Sequence, residues 1–330
     1  MAPSSFAPDV PRPHLLLERS FLAGIFISAI GFGAEIVFYF FCIIYLWSRR
    51  NKNLPKILLG YLTVIFFLEL ALISIQAYTT QAALIDHRRH PGGLWGFFQD
   101  LHSTWLNVVF YALLFTITFL FDLLVLWRCW VTWSASAKWK AVTITFFPMV
   151  LLSASFVMGI LWIIEASKPG FTVFKKLIVA YGTSYLALSI AVNIFLTILI
   201  VVRLLLYQRR SANSPLPPEF GKPYISMVTI FVESAASYSI FGIIFLITYA
   251  VDHPSNLAFL AVASNSQQIA GYLIIYRLVA TTSTCNRSST TSTLMRPRSS
   301  SWKSHSGKKG CRMSSNFSAD IQLNTAFHSN

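Results

Sequence analysis

Residues 104–133 read TWLNVVFYALLFTITFLFDLLVLWRCWVTW. No charged side chain interrupts the run before Asp122. An acid (Asp122), a base (Arg128) and the tryptophans 127, 130 and 133 then close it. A hydrocarbon core of about 30 Å needs about 20 apolar residues in helical form. Backbone groups in lipid must be bonded within the segment, so the run is expected to be a transmembrane helix. Barrel strands are shorter and alternate in polarity, which this run does not.

Six more runs share that character. The expected spans are 21–47, 57–78, 104–127, 140–164, 177–206, 224–250 and 256–279. The last is broken by Asn256, Asn265, Gln267 and Gln268. The whole chain of 330 residues is 55% hydrophobic, only 12% charged, and has a mean hydropathy of +0.60. Soluble domains carry roughly 25% charged residues. The fold class is therefore all-α, a seven-transmembrane-helix bundle.

The charges orient it. Cytosolic connections carry an excess of Lys and Arg. With the N-terminus outside, the inner loops hold Arg49, Arg50, Lys52 and Lys56, then Arg128, Lys138 and Lys140, then Arg203, Arg209, Arg210 and Lys222. The tail adds Arg277, Arg287, Arg296, Arg298, Lys303, Lys308, Lys309 and Arg312. Together these are nineteen of the 26 basic residues, so the C-terminus is expected in the cytosol. The net charge of +14 follows from these connections, and nucleic acid is not expected as a partner.

Three domains result: an extracellular segment, 1–20; the membrane bundle, 21–279; and a Ser/Thr-rich basic tail, 280–330, expected to be disordered and cytosolic. The first segment has no basic n-region, so the first span is expected to act as its own signal anchor. Ser299, Ser300 and Ser301 beside Arg296 and Arg298 form a candidate phosphorylation site. An unmodified linker touching anionic lipid is the competing reading. Asn286 and Asn316 match the glycosylation sequon but fall on the cytosolic side and are expected to be unused. His87, His90 and His102 crowd the second loop, where a solvated polar loop outweighs a metal site. No cofactor and no metal are expected.

Ionisable groups inside a bilayer cost about 2.5–3.5 kcal/mol each on insertion scales and mark candidate sites. Glu35, Glu69, Asn193, Glu233, Gln267 and Gln268 are expected to line one polar core, with an ion, a proton or a small-molecule ligand as occupant. Interhelical hydrogen bonding that merely fixes packing is the alternative, at about 0.6–2 kcal/mol per contact. At the inner end, Asp122, Arg128, Arg203 and Arg277 form a candidate switch or anchor. Asp122 and Arg128 are six residues apart, about 240° round the axis and about 9 Å in depth. Asp122 is therefore expected to pair across helices, with Arg203 or Arg277, while Arg128 snorkels at the interface beside the tryptophans.

These residues carry a resemblance. Asp122-Leu-Leu-Val-Leu-Trp-Arg128-Cys129-Trp130-Val-Thr-Trp133 resembles the Asp-x-Leu-Leu-x-x-Arg-Cys-Tyr-x-x-Trp signature of a family of seven-transmembrane proteins of mushroom-forming fungi. Glu233-Ser234-Ala235-x-x-Tyr238-Ser239 and Gln268-Ile269-x-Gly271 with Leu273-Ile274-Ile275-x-Arg277 are similar to its other two marks. Trp130 stands where tyrosine is usual, and Tyr272 comes with no proline. The resemblance covers about 21–280 and implies a seven-helix membrane protein without naming a reaction.

Other seven-span classes fit poorly. Residues 223–302 hold no lysine for retinal, Asp122 is followed by Leu123 and not Arg-Tyr, and no proline lies between Pro254 and Pro297. The leading expectation is a receptor-like bundle in the plasma membrane, with lipid around it and a cytosolic signalling partner. A proton-coupled carrier using the intramembrane carboxylates, or a structural protein with no ligand, are the alternatives. No nucleophile–base–metal set is readable, so an enzyme is not expected.

Overall fold

The computed structural model describes residues 12–47, 53–86, 105–134, 138–167, 175–212, 222–251, 253 and 255–294. They form seven α-helices: α1 (Arg12–Trp47), α2 (Asn53–Gln81), α3 (Trp105–Ser134), α4 (Lys138–Ala166), α5 (Lys175–Ala212), α6 (Lys222–Ala250) and α7 (Asn256–Leu294). A short π-helical turn, Ala82–Asp86, ends α2. Pro13, Pro55 and Pro223 sit in the first turns of α1, α2 and α6, where a missing N–H costs nothing and a fixed φ favours the helix. Pro148 is accommodated inside α4.

Among the described residues five helices are long and apolar enough to cross a membrane: Glu18–Trp47, Pro55–Gln81, Trp105–Ser134, Ala141–Ala166 and Leu177–Leu206. Among the described residues of α6 the apolar segment is shorter, Ala235–Ala250. The helix α7 continues past residue 279 to Leu294. The phosphorylation candidates Ser299 to Ser301, the histidines 87, 90 and 102, and Asn316 lie outside the described residues.

Sequence dictates the packing through a narrow stripe. In α1 the buried positions are 21, 24, 28, 31, 35, 39, 42 and 46, spaced three and four apart. In α2 they are 58, 62, 65, 69 and 72. Such spacing keeps one face of a helix against its neighbours. The opposite face of α1 exposes Phe26, Ile30, Val37, Phe41 and Ile44, an apolar surface suited to lipid rather than water. The polar residues Ser28 and Glu35 lie on the inward stripe.

Cross-helix contacts set the directions. Tyr39 stacks on Phe66 with ring centroids 4.1 Å apart, and Phe21 packs with Ala82 and Ala83, so α2 runs against α1. Phe115 and Tyr111 meet Phe156 and Trp162, so α4 runs against α3. Ser189 meets Tyr238, while Gly182 backs on Tyr249, so α6 runs against α5. Asn265 Nδ2 donates to the Ile27 carbonyl at 2.9 Å, and Cys42 Sγ donates to the Tyr272 carbonyl at 3.7 Å. These two contacts align α7 parallel to α1. The helices alternate in direction, neighbours in sequence pack together, and α7 closes the ring against α1. Helix α3 touches α2, α4, α5 and α7, which makes it the central helix.

Candidate functional site

Asp122 lies on α3 and is 1% exposed. Ser189 Oγ on α5 donates to its Oδ2 at 2.6 Å. Gln267 Nε2 on α7 donates to its Oδ1 at 3.0 Å. Asn193, one turn beyond Ser189 and on the same face of α5, lies toward the same carboxyl. Tyr238 of α6 brings its hydroxyl to 3.3 Å from Ser189 Oγ. One acid thus joins four helices through neutral groups. Bonds to a carboxylate are stronger than bonds between neutral partners, and breaking one in a buried site costs the full desolvation of the orphaned group.

A second cluster lies between α1, α2 and α7. Glu35 and Glu69 are each 1% exposed, and their carboxyls are within hydrogen-bonding reach of each other. Tyr272 Oη donates to Glu69 Oε2 at 3.3 Å. The α7 residues Gln267 and Tyr272 serve one cluster each. They are five positions apart, about 140° round the axis and about 7.5 Å along it. Phe121, adjacent to Asp122, meets Tyr272 edge-on with ring centroids 6.1 Å apart. Gly271 lets this happen, because a Cβ there would enter the Phe121 ring. Tyr61 Oη donates to the Leu120 carbonyl at 2.5 Å and ties α2 to the same turn of α3.

Of the six residues expected in one polar core, Glu35, Glu69, Asn193, Gln267 and Gln268 are buried. Their contacts fall into two groups: Gln267 and Asn193 lie at Asp122, and Glu35 and Glu69 form their own pair. Glu233 is exposed, which corrects its placement in the core. The buried residue of that part of α6 is Tyr238. Five positions separate it from Glu233, about 140° of rotation, so an inward Tyr238 turns Glu233 outward.

The inner-end group is also corrected. Asp122 bonds Ser189 and Gln267, not Arg203. Arg203 stands fourteen residues beyond Ser189 on α5, about 21 Å along the helix, and cannot reach. Its guanidinium covers the Trp133 ring at 5.3 Å, and its Nε donates to the Thr132 carbonyl at 3.4 Å. Arg128 does not snorkel; it is buried, and its charge acts on Cys42 of α1. The central position of α3 surrounds its last turns with neighbours, whereas Trp130 faces out at 36% exposure. The Arg277 side chain lies outside the described residues.

Sequence reasoning passed over Ser189, Tyr238 and Tyr272 as site residues. The four-residue step from Ser189 to Asn193 was the available signal for the first. Among the described residues no group of three or more His, Cys, Asp or Glu side chains could hold a metal ion. Compared with known protein families, with curated proteins and with solved structures, the chain matches none.

Proposed function

We propose that the chain is a seven-span, receptor-like integral membrane protein, with its N-terminus outside, its C-terminus in the cytosol, and a small molecule as its ligand. The observation that carries this reading is the Asp122 hub. A ligand or charge change felt by one carboxyl reaches α3, α5, α6 and α7 together, because Ser189 and Gln267 bond it directly and Tyr238 is reached through Ser189. Coupling needs such an element shared by several helices. The apolar outer faces, the alternating helix directions and the nineteen inner-side basic residues support the topology. Arg209, exposed at the inner end of α5, suits an acidic cytosolic partner. The resemblance to the fungal seven-transmembrane family and a plasma-membrane location belong to the same reading. An enzymatic role does not.

The test is a ligand screen by thermal shift on the purified protein. A small molecule should raise the unfolding midpoint of the wild type and lose that effect in Asp122→Asn. Uptake of a substrate into proteoliposomes, abolished by Glu69→Gln, would instead establish the carrier reading, which the buried Glu35–Glu69 pair favours.

A further inference from the structure

Glu35 and Glu69 stand apart from the Asp122 hub and have a peculiar environment. Each falls near the middle of its span, and no lysine or arginine occurs in 20–48, 57–87 or 256–276, the stretches of α1, α2 and α7 around them. One oxygen of each acid, Oε1, is buried and accepts no hydrogen bond. Glu69 Oε2 accepts from Tyr272. The other titratable groups near the cluster are Tyr39 and Cys42 on α1, Tyr61 on α2, and Asp122 and Arg128 on α3. Arg128 acts on Cys42, which is seven residues, about 10.5 Å, along α1 from Glu35.

Two ionised carboxylates about 4 Å apart repel by roughly 4 kcal/mol even at an effective dielectric of 20. Desolvation of both charges adds to that. One proton between them removes the repulsion. With the proton on Glu35, its hydroxyl donates to Glu69, and Glu69 accepts from Glu35 and Tyr272 together. The pair then carries a single negative charge in place of two. A metal ion would need further ligands, and no third His, Cys, Asp or Glu joins the pair among the described residues.

We propose that Glu35, Glu69 and Tyr272 form a proton-binding site, in which the two carboxyls hold one exchangeable proton and α7 senses it through Tyr272. When the proton leaves for water, the pair passes from one negative charge to two. Repulsion then pushes α1 from α2, while the Tyr272 hydroxyl stays with Glu69. The site rests on the bundle being embedded in a membrane and not on its acting as a receptor.

Infrared difference spectra of the full chain in lipid nanodiscs, taken between acidic and alkaline buffers, test this. The wild type should lose a carboxylic-acid carbonyl band as pH rises. Glu35→Gln and Glu69→Gln should each lack that band, because the introduced amide donates to the remaining carboxylate. Asp122→Asn should keep it, so failure of the receptor reading leaves this result untouched. Tyr272→Phe keeps both acids and should keep the band at a shifted frequency, which serves if the glutamine variants do not fold. A band that persists in both glutamine variants, or that is unshifted in Tyr272→Phe, would overturn the proposal. So would a band that answers to sodium at constant pH, which would make the site a cation site.

Discussion

Gln267 Nε2 lies 3.0 Å from Asp122 Oδ1, so the helix that closes the ring is bonded to the helix at its centre. Asp122 has no charge partner in that hub; its two oxygens are held by an amide and a hydroxyl. A carboxyl held by neutral dipoles can gain or lose its charge without breaking an ion pair, which suits a site that responds to charge or to a ligand better than a structural pin does.

Removing the amide should expose that dependence. Gln267→Leu keeps bulk and deletes the donor, leaving Oδ1 buried without it. The expected loss is about 1–3 kcal/mol. Against Asp122→Asn, a double-mutant cycle should return a coupling of roughly 0.6–2 kcal/mol, as interhelical bonds in membranes do. Reversible unfolding in detergent, followed by helix content, measures both.

Gly271 should tolerate no side chain. In Gly271→Ala the new methyl enters the Phe121 ring. Overpacking of this kind costs about 1–3 kcal/mol. Phe121→Leu combined with Gly271→Ala should recover part of the loss, because the leucine vacates ring volume beside α7. A lowered unfolding midpoint for the single change and a partial return for the pair is the expected outcome.

The Arg203–Trp133 contact should matter through the ring and not through charge alone. Trp133→Leu removes the aromatic face beneath the guanidinium and should cost about 0.5–2 kcal/mol. Arg203→Lys should show a smaller loss, since the ammonium keeps the charge but forfeits the planar stacking. Melting midpoints of the two variants, ranked against the wild type, check this order.

Glu233→Gln should not lower expression or the unfolding midpoint, because an exposed acid within a span costs more in lipid than its amide. Surface expression and melting of the purified variant decide it. A large loss would return Glu233 to the core.

Much of this was legible before any coordinates. The three-and-four spacing that buries Glu35 and Glu69 is the same pattern that marks an amphipathic helix, except that here polarity faces inward and phenylalanine outward. Rotation about a single helix was equally readable: Asp122 and Arg128 stand about 240° apart and meet different neighbours. Which helix supplies a partner was not readable. Ser189 looks like any other hydroxyl in an apolar run, and most such hydroxyls bond their own helix, as Thr118, Thr145 and Thr197 do to the carbonyl four residues back. Glu233 misled for a related reason. An acid in an apolar run signals inward orientation only if its face is inward, and that face is set by Tyr238 and the packing of α6 on α5 and α7. Arg203 misled by depth, since a basic residue on a neighbouring helix is a partner only at the same height.

The claim on which everything else depends is that seven helices cross the membrane and put the two ends on opposite sides. Glycan mapping in a eukaryotic host tests it most directly. Pro3→Asn makes a sequon with Ser4 and Ser5, and the native chain already carries two, at Asn286 with Ser288 and at Asn316 with Ser318. The account predicts a glycosidase-sensitive mass shift for Pro3→Asn and none for the native chain. Glycan on native Asn286 or Asn316, or its absence from every site with the Pro3→Asn segment shielded from outside protease, would contradict it.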